Sequence, residues 1–197
     1  MMKLSKIFIF LSSLSIMLAV VFGILLFKME TKKNALPVLG HIADFTLYDT
    51  NKKEFGLSEL KGKVWIACFF FTTCSDICPI MIKNMTVLNQ SFSTVKDVQL
   101  VSVTVNPEQD SVNVLAEYAK KNNLNEDKWH FLTGSREKIT DLVVKSFKLG
   151  SVEEPIFHSS YLVLVDKEQN LRGYYEGTVK ESMVTIIKDV KRILKER

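Results

Sequence analysis

The run from Val64 to Phe71 is apolar throughout and rich in aromatics, and it leads directly into Cys74-Ser75-Asp76-Ile77-Cys78-Pro79. An unbroken apolar run of this length fits a strand buried on both faces of a sheet. Proline is well placed in a first helical turn, so the spacing predicts a helix beginning near Cys78. Beyond it, Cys78, Met81, Met85, Leu88 and Phe92 recur at three- and four-residue steps, one stripe of an amphipathic helix. The two cysteines thus fall at a helix start, where backbone N–H groups lack intrahelical partners and favour thiolates. A thiolate is the form that attacks disulfides and ligates metals.

A chain of 197 residues holds one well-packed domain and a short appendage. Its formal charge of +4 comes entirely from Lys3, Lys6, Lys28, Lys32 and Lys33 set against Glu30, which leaves 21 basic and 21 acidic residues from Asn34 onward. With no concentrated basic face after Lys33, a nucleic-acid role is set aside.

From Ile7 to Phe27 there are 21 residues without a charge, long enough as a helix to cross about 30 Å of hydrocarbon. Ala19-Val20-Val21-Phe22-Gly23 is a poor cleavage site and no cysteine follows closely enough for lipidation, so the run reads as an uncleaved anchor. Residues 1–33 are then a single-pass anchor with its flanks, and residues 34–197 one exported domain. The lysine distribution favours an inside N terminus only weakly. The first arginine is Arg136, whereas a mitochondrial presequence is arginine-rich. The setting expected is therefore a bacterial inner membrane, with the domain on its extracytoplasmic side.

Thr31 to Gly40 reads as a tether, ending at a solvated His41. Asp44 to Asp49 and Lys52 to Leu60 suggest a short hairpin running into a helical turn. Val98 to Val105 is β-branched and alternating, a second central strand. Asp110 or Ser111 caps a helix carrying Val112, Leu115, Ala116 and Ala119 at helical spacing. Trp129 to Leu132 is a short strand, and Gly134-Ser135 starts a helix through Phe147. Gly150 to Phe157 is a loop. Tyr161 to Asp166 and Leu171 to Tyr175 read as a hairpin joined by Lys167-Glu168-Gln169-Asn170. Thr178-Val179-Lys180-Glu181 has capping-box spacing before a last helix with Met183, Ile186, Ile187, Val190, Ile193 and Leu194 on one face.

This order argues for an α/β domain, a central mixed sheet flanked by helices. A reactive pair after the first long strand suits a thioredoxin-like arrangement. The pair is C-x-x-x-C rather than the redox C-x-x-C, which shifts weight from a disulfide oxidoreductase toward a metal site.

At these residues the chain resembles the Sco/SenC family, membrane-tethered copper chaperones of cytochrome c oxidase assembly. The resemblance rests on Phe71-Thr72-x-Cys74-x-Asp76-Ile77-Cys78-Pro79, on Val105-Asn106-Pro107-Glu108-x-Asp110, and on His158 ahead of Ser159-Ser160-Tyr161-Leu162-Val163. It covers Phe45 to the C terminus and implies that Cys74, Cys78 and His158 are copper ligands. It also implies delivery to cytochrome c oxidase subunit II or another cuproenzyme. Two soft thiolates and an imidazole suit copper(I), and with an added ligand copper(II). Three ligands are too few for a closed structural zinc site. In an exported domain the pair can oxidise, and a thiol reductant is then required before loading. The alternative function is thiol-disulfide exchange by Cys74 and Cys78 alone.

Each assignment has a plainer competitor. A structural disulfide across so short a loop would add little stability. On spacing alone His158 reads as a surface or capped residue, and it is the resemblance that makes it a ligand. Met81 and Met85 are soft donors, yet their stripe assigns them to the core. Cys68, inside the buried strand, reads as an inert core thiol, and His130 as structural. The chain departs from the family pattern at Ser75, where proline is frequent, and at Asn106 and Phe157, where aspartate is common. The last two remove carboxylates near the site and bear on its outer shell.

Overall fold

A computed structural model of the chain describes residues 11–12, 14–23, 35–124, 127–150 and 159–196. Two compact units are distinguished, Met1–Ala35 and Leu36–Arg197. In the first, residues 11–12 and 14–23 are helical with exposed apolar side chains. Among the described residues no helix is long and apolar enough to cross a membrane. Both ends of the Ile7 to Phe27 run lie outside them.

The second unit is built on a six-stranded sheet. Its strands are β1 (Gly40–His41), β4 (Val64–Phe70), β5 (Val98–Thr104), β6 (Trp129–Leu132), β7 (Tyr161–Val165) and β8 (Asn170–Glu176), in the spatial order β1-β8-β7-β4-β5-β6. β4 runs parallel to β5 from Val64↔Val98 to Phe70↔Thr104, and β5 parallel to β6. β7 lies antiparallel on the other side of β4, and β8 antiparallel to β7. The sheet is therefore mixed. β4 sits at its centre with every residue from Val64 to Phe70 buried, which is why that segment is continuously apolar.

Two apolar layers cover the sheet. On one face Ile66, Cys68 and Phe70 of β4 meet Cys78, Met81, Met85 and Leu88 of the cysteine helix Ile77–Ser91. Leu115 and Ala119 of helix Val112–Lys121 and Ile186 and Val190 of helix Lys180–Ile193 complete that layer. On the other face Trp65, Ala67 and Phe69 meet Leu47 and Phe55 from the hairpin β2 (Thr46–Tyr48) and β3 (Glu54–Gly56), together with Leu60, Ile139, Val143 and Phe147. Helix Arg136–Asp141 reaches Phe147 through a π-helical turn, Leu142–Ser146.

Two local expectations are corrected, and a third is narrowed to one of its two candidates. The segment read as a tether up to Gly40 is fastened from Leu36 onward: Arg172 donates to the carbonyls of Leu36 and Pro37, Leu39 N–H donates to Leu171, and Gly40–His41 pairs with β8. The sequence could not show this because the partner residue lies 135 positions away. The capping box at Thr178–Glu181 does not form; Val179 precedes the helix without a side-chain cap, and the Thr178 hydroxyl turns to Glu176 at 3.0 Å. Of the two candidate caps before Val112, Ser111 accepts from Val114 N–H at 3.4 Å, and Asp110 points elsewhere.

Candidate functional site

Chains leaving parallel strands at their carboxyl ends gather at one edge of a sheet, the usual place for a site in an α/β fold. Here β4 leaves through Phe71 to Cys78 and β5 through Val105 to Asp110. The two loops are stitched together. Phe71 to Cys74 is a turn closed by Cys74 N–H donating to the Phe71 carbonyl at 3.2 Å. Thr72 hangs from Asp110, and the Thr73 hydroxyl donates to Gln109 at 3.4 Å.

The turn delivers Cys74 to the first turn of the cysteine helix, beside Cys78. Both are thiols here, Cys74 half-buried and Cys78 3% exposed. Burial alone would push the Cys74 thiol up, but the Cys78 thiol and the backbone groups of Cys78, Asp76 and Ile77 hydrogen-bond to its sulfur and hold it below the ordinary value. Burial pushes Cys78 up to about 12, and the neighbouring Cys74 sulfur adds to the rise. One sulfur is thus partly exposed and anion-stabilised, the other buried and proton-bearing. The pair offers two soft donors with an open side, a set that fits copper(I) better than a hard cation.

Tyr118, which sequence reading did not single out, packs against the same core cluster as Cys74 and Cys78. Its ring lies 5.6 Å from Phe70 and 6.4 Å from Phe131. Its hydroxyl is pushed up to about 12, first by burial and then by the three cysteines and Asp110. Its place beside Leu115 and Ala119 on the apolar stripe of Val112–Lys121 is the sequence signal it left.

The remaining candidates are distributed as follows. Met81 and Met85 are fully buried in the core, and Cys68 is buried with its sulfur 3.0 Å from the Ser102 hydroxyl and its thiol pushed up to about 12 by burial. His130 is remote from the cysteines, packed on Phe55 at 4.5 Å and hydrogen-bonded to Gln99 at 3.1 Å. His41 sits exposed at the sheet edge, 3.3 Å from Asn170. Ser75 is exposed, and Asn106 donates to Gln109 at 3.0 Å on the rim. His158 and Phe157 lie outside the described residues. Among the described residues no group of three or more His, Cys, Asp or Glu side chains is arranged to hold a metal ion.

The start of β7 also belongs to this edge, since β7 is antiparallel to β4. Gly177 N–H donates to the Ser160 carbonyl at 2.6 Å, and Asn84 of the cysteine helix donates to the Gly177 carbonyl at 2.7 Å. A Cβ at Gly177 would come within 2.7 Å of the Ser160 carbonyl oxygen and 3.2 Å of Met81 Cε, so only glycine lets these three segments close up.

Comparison with known proteins identifies the fold and the family. A SCO1 protein homolog of Bacillus subtilis strain 168 is 35% identical over 161 residues, 79% of this chain and 83% of that protein. BsSco, described as a member of the Sco family of cytochrome c oxidase assembly proteins in which a disulfide switch was identified, is 33% identical. It aligns with a TM-score of 0.74 over 84% of this chain and 99% of its own. Arabidopsis thaliana ScoI with copper bound is 26% identical and aligns with a TM-score of 0.64 over 76% and 98% of the two chains. The α/β domain is thioredoxin-like, as those structures are. Since the profile of the SCO1/SenC family also matches residues 36–195, this chain belongs to the SCO1/SenC family.

Proposed function

We propose that the protein is a membrane-anchored copper chaperone that carries copper on Cys74, Cys78 and His158 and passes it to cytochrome c oxidase subunit II or another cuproenzyme. The observation that carries this reading is the pairing of one half-exposed and one buried thiol at a helix start, on the carboxyl edge of β4. His158 enters from its position three residues before β7, two residues ahead of Ser160, whose carbonyl accepts from Gly177 N–H while Asn84 of the cysteine helix donates to the Gly177 carbonyl. Copper is cargo in this scheme, so an incomplete, one-sided ligand set is an advantage. Loading removes the proton from Cys78, and the exposed Cys74 sulfur is the point at which a client's ligand can displace the protein's. The anchor is the Ile7 to Phe27 run in a bacterial inner membrane, with the domain on the extracytoplasmic side. There the pair oxidises, and a thiol reductant restores it before each loading.

A thiol-disulfide oxidoreductase is the second reading, and the inequality of the two thiols favours it. Such an enzyme needs an exposed attacking sulfur and a buried resolving one, which are Cys74 and Cys78. His158 separates the two, because dithiol exchange does not use it. In cells lacking the native gene, His158→Ala is expected to abolish oxidase maturation while leaving Cys74–Cys78 exchange intact. Full maturation by that variant, with unchanged copper affinity, would establish the oxidoreductase instead.

A further inference from the structure

Asp110 has no exposed surface, and it stands one residue before the serine that caps its helix. A buried carboxylate is costly unless its oxygens are satisfied. These are. Oδ2 accepts from Thr72 N–H at 3.0 Å and from the Thr104 hydroxyl at 2.6 Å, and Oδ1 accepts from the Thr72 hydroxyl. Both donors of Thr72 therefore end on one carboxylate, which is anchored to the last residue of β5. Thr72 is the second residue of the turn that Cys74 closes on Phe71. The next residue, Thr73, is held by Gln109, and Gln109 in turn receives Asn106. The approach to Cys74 is thus fixed residue by residue to the loop after β5.

We propose that Asp110 is a positioning residue for the Cys74–Cys78 pair, acting through Thr72 to hold the Phe71–Cys74 turn where the two thiols meet. The proposal rests on the reading that these cysteines work as a pair, whether on copper or in exchange. A disulfide needs its Cβ atoms about 3.5–4.5 Å apart, so the ease of closing one measures how well the turn is held. Fixing two reacting groups in place raises their effective concentration, and loosening the turn lowers it.

The test equilibrates the full-length chain with oxidised and reduced glutathione. One oxidised glutathione takes two electrons and two protons from Cys74 and Cys78, giving the protein disulfide and two glutathione thiols. Wild type is compared with Asp110→Asn and Thr72→Val. Thr72→Val removes one donor and keeps the carboxylate charge. Both variants are expected to lower the oxidation equilibrium constant about tenfold, about 30 mV in midpoint potential for this two-electron couple. An unchanged constant in both overturns the proposal, even if thermal stability falls. A shift confined to Asp110→Asn overturns it as well, because the carboxylate would then act by its charge. Should Asp110→Asn not fold, Thr72→Val decides alone. Copper titration of the wild type is read separately; absent copper binding would defeat the chaperone reading and leave the glutathione result standing.

Discussion

Cys78 is buried and Cys74 beside it only half-buried, and the Cys78 thiol is pushed up by burial while the Cys74 thiol is held below its ordinary value, so the two members of the pair are chemically unequal before any metal or oxidant arrives. The inequality follows from position. Cys74 precedes the helix and faces its first backbone groups, whereas Cys78 is the second residue of the helix, on the buried stripe with Met81 and Met85.

The order of alkylation should show it. Iodoacetamide added to the reduced protein is expected to label Cys74 first, with Cys78 protected by burial and by its raised thiol. The Cys74 thiol is held below its ordinary value of 9.0, so its rate should rise with pH through a midpoint below that of a free cysteine. Cys78→Ala removes a donor and should move that midpoint upward. Mass spectrometry of the quenched products checks this, and equal labelling of both cysteines would contradict it.

Stability should rest heavily on the buried ion pair at the other end of the sheet. The Arg172 guanidinium lies 2.8 Å from Asp166, with side chains 7% and 2% exposed, and it also holds Glu196 and the carbonyls of Leu36 and Pro37. Arg172→Ala leaves Asp166 buried without its partner, which costs about 3–5 kcal/mol. Urea unfolding measures this. Limited proteolysis near Leu36 should accelerate in the same variant, because the arginine is what fastens that segment.

His130 should make stability depend on pH. Burial between Phe55 and Gln99 lowers its basicity below the ordinary 6.5, although Asp49 and Glu59 oppose the shift. The unfolded chain therefore binds a proton near pH 6.5 while the folded chain resists it. This contribution is fully present above that pH and is lost as pH falls through 6.5 toward the lower folded value. Denaturation midpoints at pH 7.5 and 5.5 should differ less in His130→Gln than in wild type; an identical difference would contradict the assignment.

Much of this was legible in the sequence because it depends on local pattern. The apolar run of β4, the stripe Cys78, Met81, Met85, Leu88 and Phe92, and the hairpin of β7 and β8 are spacing signals, and each appears where the spacing put it. What escaped depends on distant partners. Asp110 read as one of two candidate caps, beside Ser111, because it adjoins a helix start, and its true partners Thr72 and Thr104 belong to two other elements. Arg172 gave no signal at all, since its work is done against Asp166, Glu196 and a segment 135 residues away. Tyr118 was hidden in a helix with many polar residues, and its packing partners become visible only once β4 and β6 supply Phe70 and Phe131.

The most direct test of copper carriage is an anaerobic copper(I) titration of the reduced full-length chain against a competing chelator, in wild type, Cys74→Ser, Cys78→Ser and His158→Ala. One tightly held copper per chain is expected in wild type. Stable binding should be lost in either serine variant, because a hard hydroxyl replaces a soft thiolate, while His158→Ala should keep weakened two-sulfur binding. Wild type and Cys78→Ser binding copper(I) with equal affinity would contradict the account.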